Sequence, residues 1–537
     1  MRNLLVSLSL VLHASAPAAT LVVDTGADTP LSTCTAAAGD CTLRGAITAA
    51  NATPAADVIE FAIPQADPSY QVGSDTWLIQ VGATALPAIE APVLIDGYSQ
   101  PGASANTNSP IDGGLNSVLK IELRPAAPTA QFHGLEISLN FFAQPASTIR
   151  GLTISRFPVQ IFLAGSSAHR VEGCFLGTNI AGTAAAVTGN SGLGAGIRLF
   201  GPGGYVIGGS TPAARNLISG MFSAVTSFSA NDGVIIQGNL IGTDISGTQA
   251  IGHNGNAIES SGPLTNALIG GTEPNARNVI AASRFSAIYL STSNVNPYIG
   301  TRIVGNYIGT DVSGLRPLGN GLNLASPTQT VASVYLFSGN DANLAIGGLL
   351  PGEANLIAYG GAAGLQVATS RGVSSPLNHY LGNRVMAIDN SETSNADGPS
   401  ANDAGDADVG GNRLQNFPVY TLTGGFLPAG GSSVTVNYTV ATAVANASYP
   451  LTIRAYRGDC GGGSRSFIAS ETIEAVDAQL PQTWALTAPD GSNVLPLVFT
   501  ATDAAGNNSE FSAMVGEAIF ADALEDQPPV LTPGKCL

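Results

Sequence analysis

Gly238-Asn239-Leu240-Ile241-Gly242-Thr243-Asp244 is the stretch on which the fold turns, because it recurs. Gly173-Cys174-Phe175-Leu176-Gly177-Thr178-Asn179 precedes it, Gly305-Asn306-Tyr307-Ile308-Gly309-Thr310-Asp311 follows it, and a degraded copy starts Gly382-Asn383-Arg384-Val385. A second motif lies between the copies. Ile207-Gly208-Gly209 stands ahead of Arg215-Asn216-Leu217-Ile218, Ile269-Gly270-Gly271 ahead of Arg277-Asn278-Val279-Ile280, and Ile346-Gly347-Gly348 ahead of Ala354-Asn355-Leu356-Ile357. Self-similarity at a period of about 65 residues marks a solenoid. Short β-rich runs such as Gly233-Val234-Ile235-Ile236 and Ser286-Ala287-Ile288-Tyr289-Leu290 divide each unit into about three coils of roughly 20 to 25 residues. The expected fold is all-β, a right-handed parallel β-helix.

The asparagines have a physical place in such a stack. At the same turn of successive coils, an Asn accepts left-handed geometry and passes amide hydrogen bonds along the axis, while the aliphatic residue two positions later enters the core. The expected ladder is Asn216, Asn239, Asn278, Asn306, Asn355 and Asn383. Cys174 occupies one rung, which makes it a buried structural thiol.

Composition agrees. The chain has 537 residues, too many for one ordinary core, yet only 11% are charged and 65 are glycine, which suits stacked strands joined by tight turns. The two lysines, Lys120 and Lys535, are too few for the solvated faces of a helical fold. A formal charge of −17 repels nucleic acid and anionic lipid, so neither is an expected partner. A polyanionic polysaccharide is disfavoured for the same reason, unless a cation or a local arginine patch offsets the field.

At the start, Arg2, the apolar run Leu4 to Leu12 and the small residues Ala14-Ser15-Ala16-Pro17-Ala18-Ala19 have the layout of a secretory signal, with cleavage expected after Ala18. No later apolar run is long enough to span a bilayer, so no transmembrane segment remains after signal removal. In an oxidising compartment Cys34 and Cys41 are close enough to close a small loop, and Cys460 has Cys536 as a candidate partner. The expected organisation is a signal peptide over 1–18, a cap over 19–64, the β-helix over 65–390, an acidic linker over 391–417, a β-sandwich over 418–516 and a tail over 517–537. The cap includes a helix, because Leu43, Ala46, Ile47 and Ala50 fall on one helical face that covers the open end of the solenoid. The sandwich rests on alternating runs such as Ser433 to Val440, Leu451 to Tyr456 and Pro496 to Thr502.

Cys41-Thr42-Leu43-Arg44-Gly45-Ala46-Ile47 resembles the N-terminal Cys-Ser-Leu-Arg-Glu-Ala signature domain of secreted bacterial β-helix proteins, with Gly45 where the signature has Glu. The Asn-x-Ile-Gly-Thr-Asp and Ile-Gly-Gly repeats, the segment Asn402 to Asn416 and the run Thr500 to Ser512 are similar to the rest of those proteins. The resemblance implies a secreted or surface location and a C-terminal bacterial immunoglobulin-like module. It implies no single activity.

Several residues are candidates for chemistry. Asp403, Asp406, Asp408 and Asn412 in the acidic linker supply the hard oxygen ligands that calcium takes; the alternative is a solvated linker of Asx turns. Asp244 and Asp311 stand at equivalent turns and offer the paired carboxylates of glycoside hydrolysis, although residues that recur with the coil also serve as turn caps. Residues that break the repeat are catalytic candidates of another kind: His253 and Glu259, Arg284, Arg302 and Arg316, and His379. A lyase needs a base beside a sugar carboxylate, and along the helix beyond Lys120 only arginine offers a cationic side chain for it. Tyr289, Tyr298, Tyr307 and Phe337 either line a sugar-stacking face or fill the structure. Two readings follow. The preferred one is a monomeric secreted or cell-surface protein that binds extracellular polysaccharide or a surface component without catalysis. The alternative is a secreted polysaccharide lyase or glycoside hydrolase, with its site on the β-helix face.

Overall fold

A computed structural model describes residues 17–138, 145–186, 194–292, 297–322, 331–338, 341–393, 397–423, 431–459 and 463–514. The expected signal sequence through residue 16, Cys460, Cys536 and the tail from residue 517 lie outside the described residues.

Isoleucine stacking organises the core. Ile207, Ile236, Ile269, Ile303 and Ile346 face one another in register along a first sheet. Ile218, Ile241, Ile280, Ile308 and Ile357 do so along a second. Ile197, Val225, Ile258, Ile288, Val334, Leu365 and Ile388 do so along a third. All these side chains are buried in one continuous cluster. Each coil visits the sheets in the same order, as in Thr148–Arg150, Leu152–Ile154 and Val159–Ala164. The sheets hold 11, 11 and 9 strands, and pairing is parallel throughout except for the hairpin Tyr70–Gln71 with Thr76–Val81. The chain is thus nearly all-β with long parallel sheets, the architecture of a parallel β-helix. Among the described residues there is one α-helix, and none is long and apolar enough to cross a membrane.

The asparagine ladder is continuous. Each Nδ2 donates to the next Oδ1, from Asn216 to Asn239 (2.9 Å), Asn278 (3.0 Å), Asn306 (2.9 Å), Asn355 (3.0 Å) and Asn378 (3.0 Å). Each amide also donates to an aliphatic carbonyl of the preceding coil, Asn278 to that of Ile236 at 2.7 Å for example. Cys174 does hold the first rung: its backbone N–H donates to Asn216 Oδ1 at 2.8 Å, and burial pushes the thiol up to about 12.

Three expectations change. The last rung is Asn378, not Asn383. Asn383 instead donates to the Ile357 carbonyl one strand later, as Asn320 does to Ile280. The left-handed conformation belongs to the glycine before each Gly-Asn or Gly-Cys rung rather than to the Asn; at Gly238, with φ of +72°, a Cβ would also lie 2.4 Å from the Gly209 carbonyl oxygen. Finally, each long repeat contains two coils, not three, because the residues after Gly-Thr-Asp fold into a separate stack of turns.

Both ends are closed. At the start, helix α1 (Leu43–Ala50) is capped by Thr42, whose hydroxyl accepts from Gly45 N–H, and its inward residues join the core. A Cβ on Gly45 would come 1.7 Å from the Leu31 carbonyl oxygen, so the backbone at Leu31 and Ser32 leaves room only for glycine. Strands Thr20–Val23 and Asp57–Phe61, inside the expected cap, are already the first two of the first sheet. At the far end, Asn412 bonds both N–H and C=O of Val373, Asn507 accepts from Gly372, and Glu510 accepts from Asn390 and Ser400 N–H. Phe511 packs against Tyr380 and Tyr456. Beyond the helix, two three-stranded antiparallel sheets share a second apolar cluster that includes Val436, Tyr438, Ile453 and Phe499.

Asn278→Ala removes an acceptor from Asn239 and donors from Asn306 and Ile236, leaving buried polar groups unmatched. It should cost ~2–4 kcal/mol in urea unfolding. Asn278→Asp, which sets a carboxylate against two acceptors, should cost more.

Candidate functional site

The coil leaves three outer faces, and they differ in what covers them. On the second sheet the outward residues Phe175, Leu217, Leu240 and Val279 are roofed by Ile180, Ile245, Val312 and Leu115 in a separate apolar cluster. The roof is the stack of Gly-Thr-Asp turns, joined by Ile245 N–H to Gly182 and Val312 N–H to Gly247. Asp244 and Asp311 cap these turns. Asp244 Oδ1 accepts from Thr248 and Gln249 N–H, Asp311 Oδ1 from Ser313, Leu315 and Arg316 N–H, and Asn179 does the same in the first turn. Their carboxylates are spent on backbone.

On the first sheet the outward arginines are neutralised: Arg150 pairs with Asp96 and Arg170 with Glu172, both at 2.6 Å, and Arg302 pairs with Glu353.

The outer face of the third sheet is different. Parallel register aligns Glu136, Phe162, Arg198, Thr226, Glu259, Tyr289, Tyr335, Gln366 and Asp389 in one column. Successive rungs are spaced by the strand separation of about 4.8 Å, within the centroid separations that offset-stacked rings adopt. Tyr289 and Tyr335 accordingly stack, with centroids 5.0 Å apart and planes 8° off parallel. At the other end His133 stacks on Phe162 at 4.8 Å, Phe162 lies 6.3 Å from Phe200, and Arg198 sits 5.6 Å from the centre of the Phe228 ring. Phe200 and Phe228 are exposed. Aromatic faces, a cation and Glu259 thus share one surface.

The residues that the sequence put forward for catalysis do not converge. Glu259 belongs to this column, Asp244 and Asp311 cap turns on another face, and Arg316 is an exposed residue of the same turn. His253 is buried with Nε2 3.2 Å from the Ile218 carbonyl, and burial pushes it down to about 4. It fills the place that Asn320 and Asn383 hold in later coils. Of the proposed stacking residues, Tyr289 and Phe337 lie on the third sheet, Tyr298 is wholly buried, and Tyr307 is covered by Arg277 at 4.0 Å. Arg198, Phe162, Tyr335, Phe200 and Phe228 went unnoticed. For Phe162, Arg198 and Tyr335 the signal was an aromatic or charged residue between two aliphatic ones, as in Ile197-Arg198-Leu199 and Val334-Tyr335-Leu336.

At the end of the helix the structure gathers carboxylates. Asp403, Asp406 and Asp408 bring ligand oxygens within 4.8 Å of one another. Asp406 also accepts from Asn416 N–H, Gln415 and Thr442, and burial pushes it up to about 6. Asp408 Oδ1 is buried with no hydrogen-bond partner among the described residues. Asn412 is not a fourth member, because its amide is spent on Val373 and Asn508.

No protein-family profile matches the chain, and no curated protein matches it. Among solved structures it is similar to ORF18 of Geobacillus virus E2, at 10% identity and a TM-score of 0.25, over 78% of this chain and 68% of that one. A likeness at that score carries no argument.

Burial raises Glu510 to about 7, with Asp389 and Asp397 adding to the effect. A carboxyl raised in the folded state favours folding at low pH, and that advantage is lost as pH climbs from the unfolded value near 4.5 through 7. His169 and His253, pushed down to about 4, act oppositely: they penalise folding below the unfolded value near 6.5. Glu510→Gln should therefore abolish one downward component of the stability curve between pH 4.5 and 7, measured against the parent by urea unfolding.

Proposed function

We propose that this chain is a secreted, monomeric glycan-binding protein whose ligand lies along the outer face of the third sheet. The observation that carries the reading is the stretch of the in-register column from Glu136 to Tyr335, with the stacked Tyr289–Tyr335 pair and exposed Phe200 and Phe228; Gln366 and Asp389 beyond it are buried. Sugar rings present apolar C–H faces that pack on aromatic rings, while their hydroxyls need polar groups such as Glu259 in the same column. The other two faces are roofed by apolar turns or ion-paired, and the catalytic candidates do not converge, since Asp244 and Asp311 cap turns beside Arg316, His253 is buried, Arg302 is ion-paired and Glu259 stands on the third sheet, which favours binding over hydrolysis or elimination. In this reading the coil is right-handed, residues around Cys41-Thr42-Leu43-Arg44 form the signature cap of the secreted bacterial β-helix proteins, and the C-terminal sheets are an immunoglobulin-like module that serves as a spacer or adhesive domain.

Purified mature protein should be retained on a panel of immobilised neutral and acidic polysaccharides without releasing reducing ends or unsaturated products. Tyr289→Ala and Tyr335→Ala should each weaken retention about tenfold, equivalent to ~1.4 kcal/mol. Unchanged retention, or product release, would overturn the reading.

A cation at Asp403, Asp406 and Asp408 belongs to the same proposal. The partnerless Asp408 oxygen and the raised Asp406 favour it, and oxygen ligands alone suit calcium. Millimolar calcium should raise the melting temperature, more at pH 7.5 than at pH 5, where Asp406 is mostly protonated. Asp408→Asn should remove the rise, and no rise at either pH contradicts calcium.

A further inference from the structure

Arg198 is the one cation in the column Glu136 to Asp389, and its surroundings are aromatic. Phe162 occupies the neighbouring rung, Phe200 lies two residues along the same strand, and the guanidinium carbon is 5.6 Å from the Phe228 ring centre. Among the described residues it makes no ion pair, and its Nε is buried with no hydrogen-bond partner. The contrast with the first sheet is sharp, where Arg150, Arg170 and Arg302 each have a carboxylate. Residues 187–193, which lead into its strand, contain no acidic side chain.

We infer that Arg198, with Phe200 and Phe228, is a subsite for the carboxylate of an acidic sugar. This deepens the glycan-binding reading and rests on it. The guanidinium fork accepts a planar carboxylate through two parallel N–H donors, and the partial exclusion of water by the rings strengthens that pair. Phe200 and Phe228, exposed beside the fork, take the apolar face of the same sugar. The flanking acids set the charge density of the ligand. Glu136 and Glu259 stand two rungs to either side of Arg198, about 10 Å away along the sheet. A polymer charged at every residue would meet both, and would also meet the chain's overall negative field. A glycan with isolated uronic or other carboxylated sugars among neutral ones meets only Arg198. Sulfate and phosphate esters can engage the same fork, so sulfated and phosphorylated analogues belong in the test.

The test is calorimetric titration of the mature protein with oligosaccharides prepared as matched pairs, native and carboxyl-reduced, together with sulfated and phosphorylated analogues. The expected result is that sparsely acidic members bind at least tenfold more tightly than their reduced partners. Arg198→Gln should abolish that difference while leaving the affinity for the reduced sugars within twofold. Arg198→Lys, which keeps the charge but loses the fork, should retain only part of it. Melting curves of both variants confirm folding. Equal affinity for native and reduced partners would overturn the Arg198 subsite and leave glycan binding standing. A preference for sulfated or phosphorylated members would overturn the carboxylate assignment. No binding anywhere in the panel would overturn both readings.

Discussion

The hydrogen-bonded line of asparagine amides is the constraint on which the rest of the molecule depends. From Asn216 to Asn378 each side chain satisfies the next and closes a backbone carbonyl of the coil before it. A turn buried against a neighbouring turn has no water to meet its polar groups, so a side chain that both donates and accepts stands at each rung from Asn216 to Asn378, with Cys174 ending the ladder through its backbone N–H. Once that turn is fixed, the aliphatic residue two places later points inward, the sheets fall into register, and every second residue of the third sheet points outward at a fixed spacing. The outer face of the third sheet is a by-product of the ladder.

The same logic explains why the ends matter. A stack of parallel strands exposes unpaired edges, which invite other chains. The N-terminal edge is met by helix α1 and the disulfide loop, and the C-terminal edge by Asn412 and the run from Asn507 to Phe511. Residues that looked like parts of a metal loop or of a separate module are therefore partly a lid. The buried acids Asp389 and Glu510 sit at that lid, which ties the closure of the solenoid to protonation.

The architecture was legible in the sequence and the outer column of the third sheet was not, for one physical reason. Inward and turn positions answer to the coil and recur, so Asn216, Asn239 and Asn278 announce themselves. The miscounted coils came from residues after Gly-Thr-Asp, which recur equally well but roof the second sheet instead of building a third coil. Outward positions of the third sheet answer to nothing within the coil, and Phe162, Arg198, Thr226, Glu259 and Tyr289 differ at every step. Asp244 and Asp311 drew notice because they repeat, and they repeat because they cap turns.

A crystal structure of the mature protein with a glycan that it retains tests the central claim most directly. The account predicts sugar rings lying along the outer face of the third sheet, with one ring against Tyr289 and Tyr335. Sugar bound on the turn stack around Asp244 and Asp311, or on the first sheet with the third sheet bare, would contradict it.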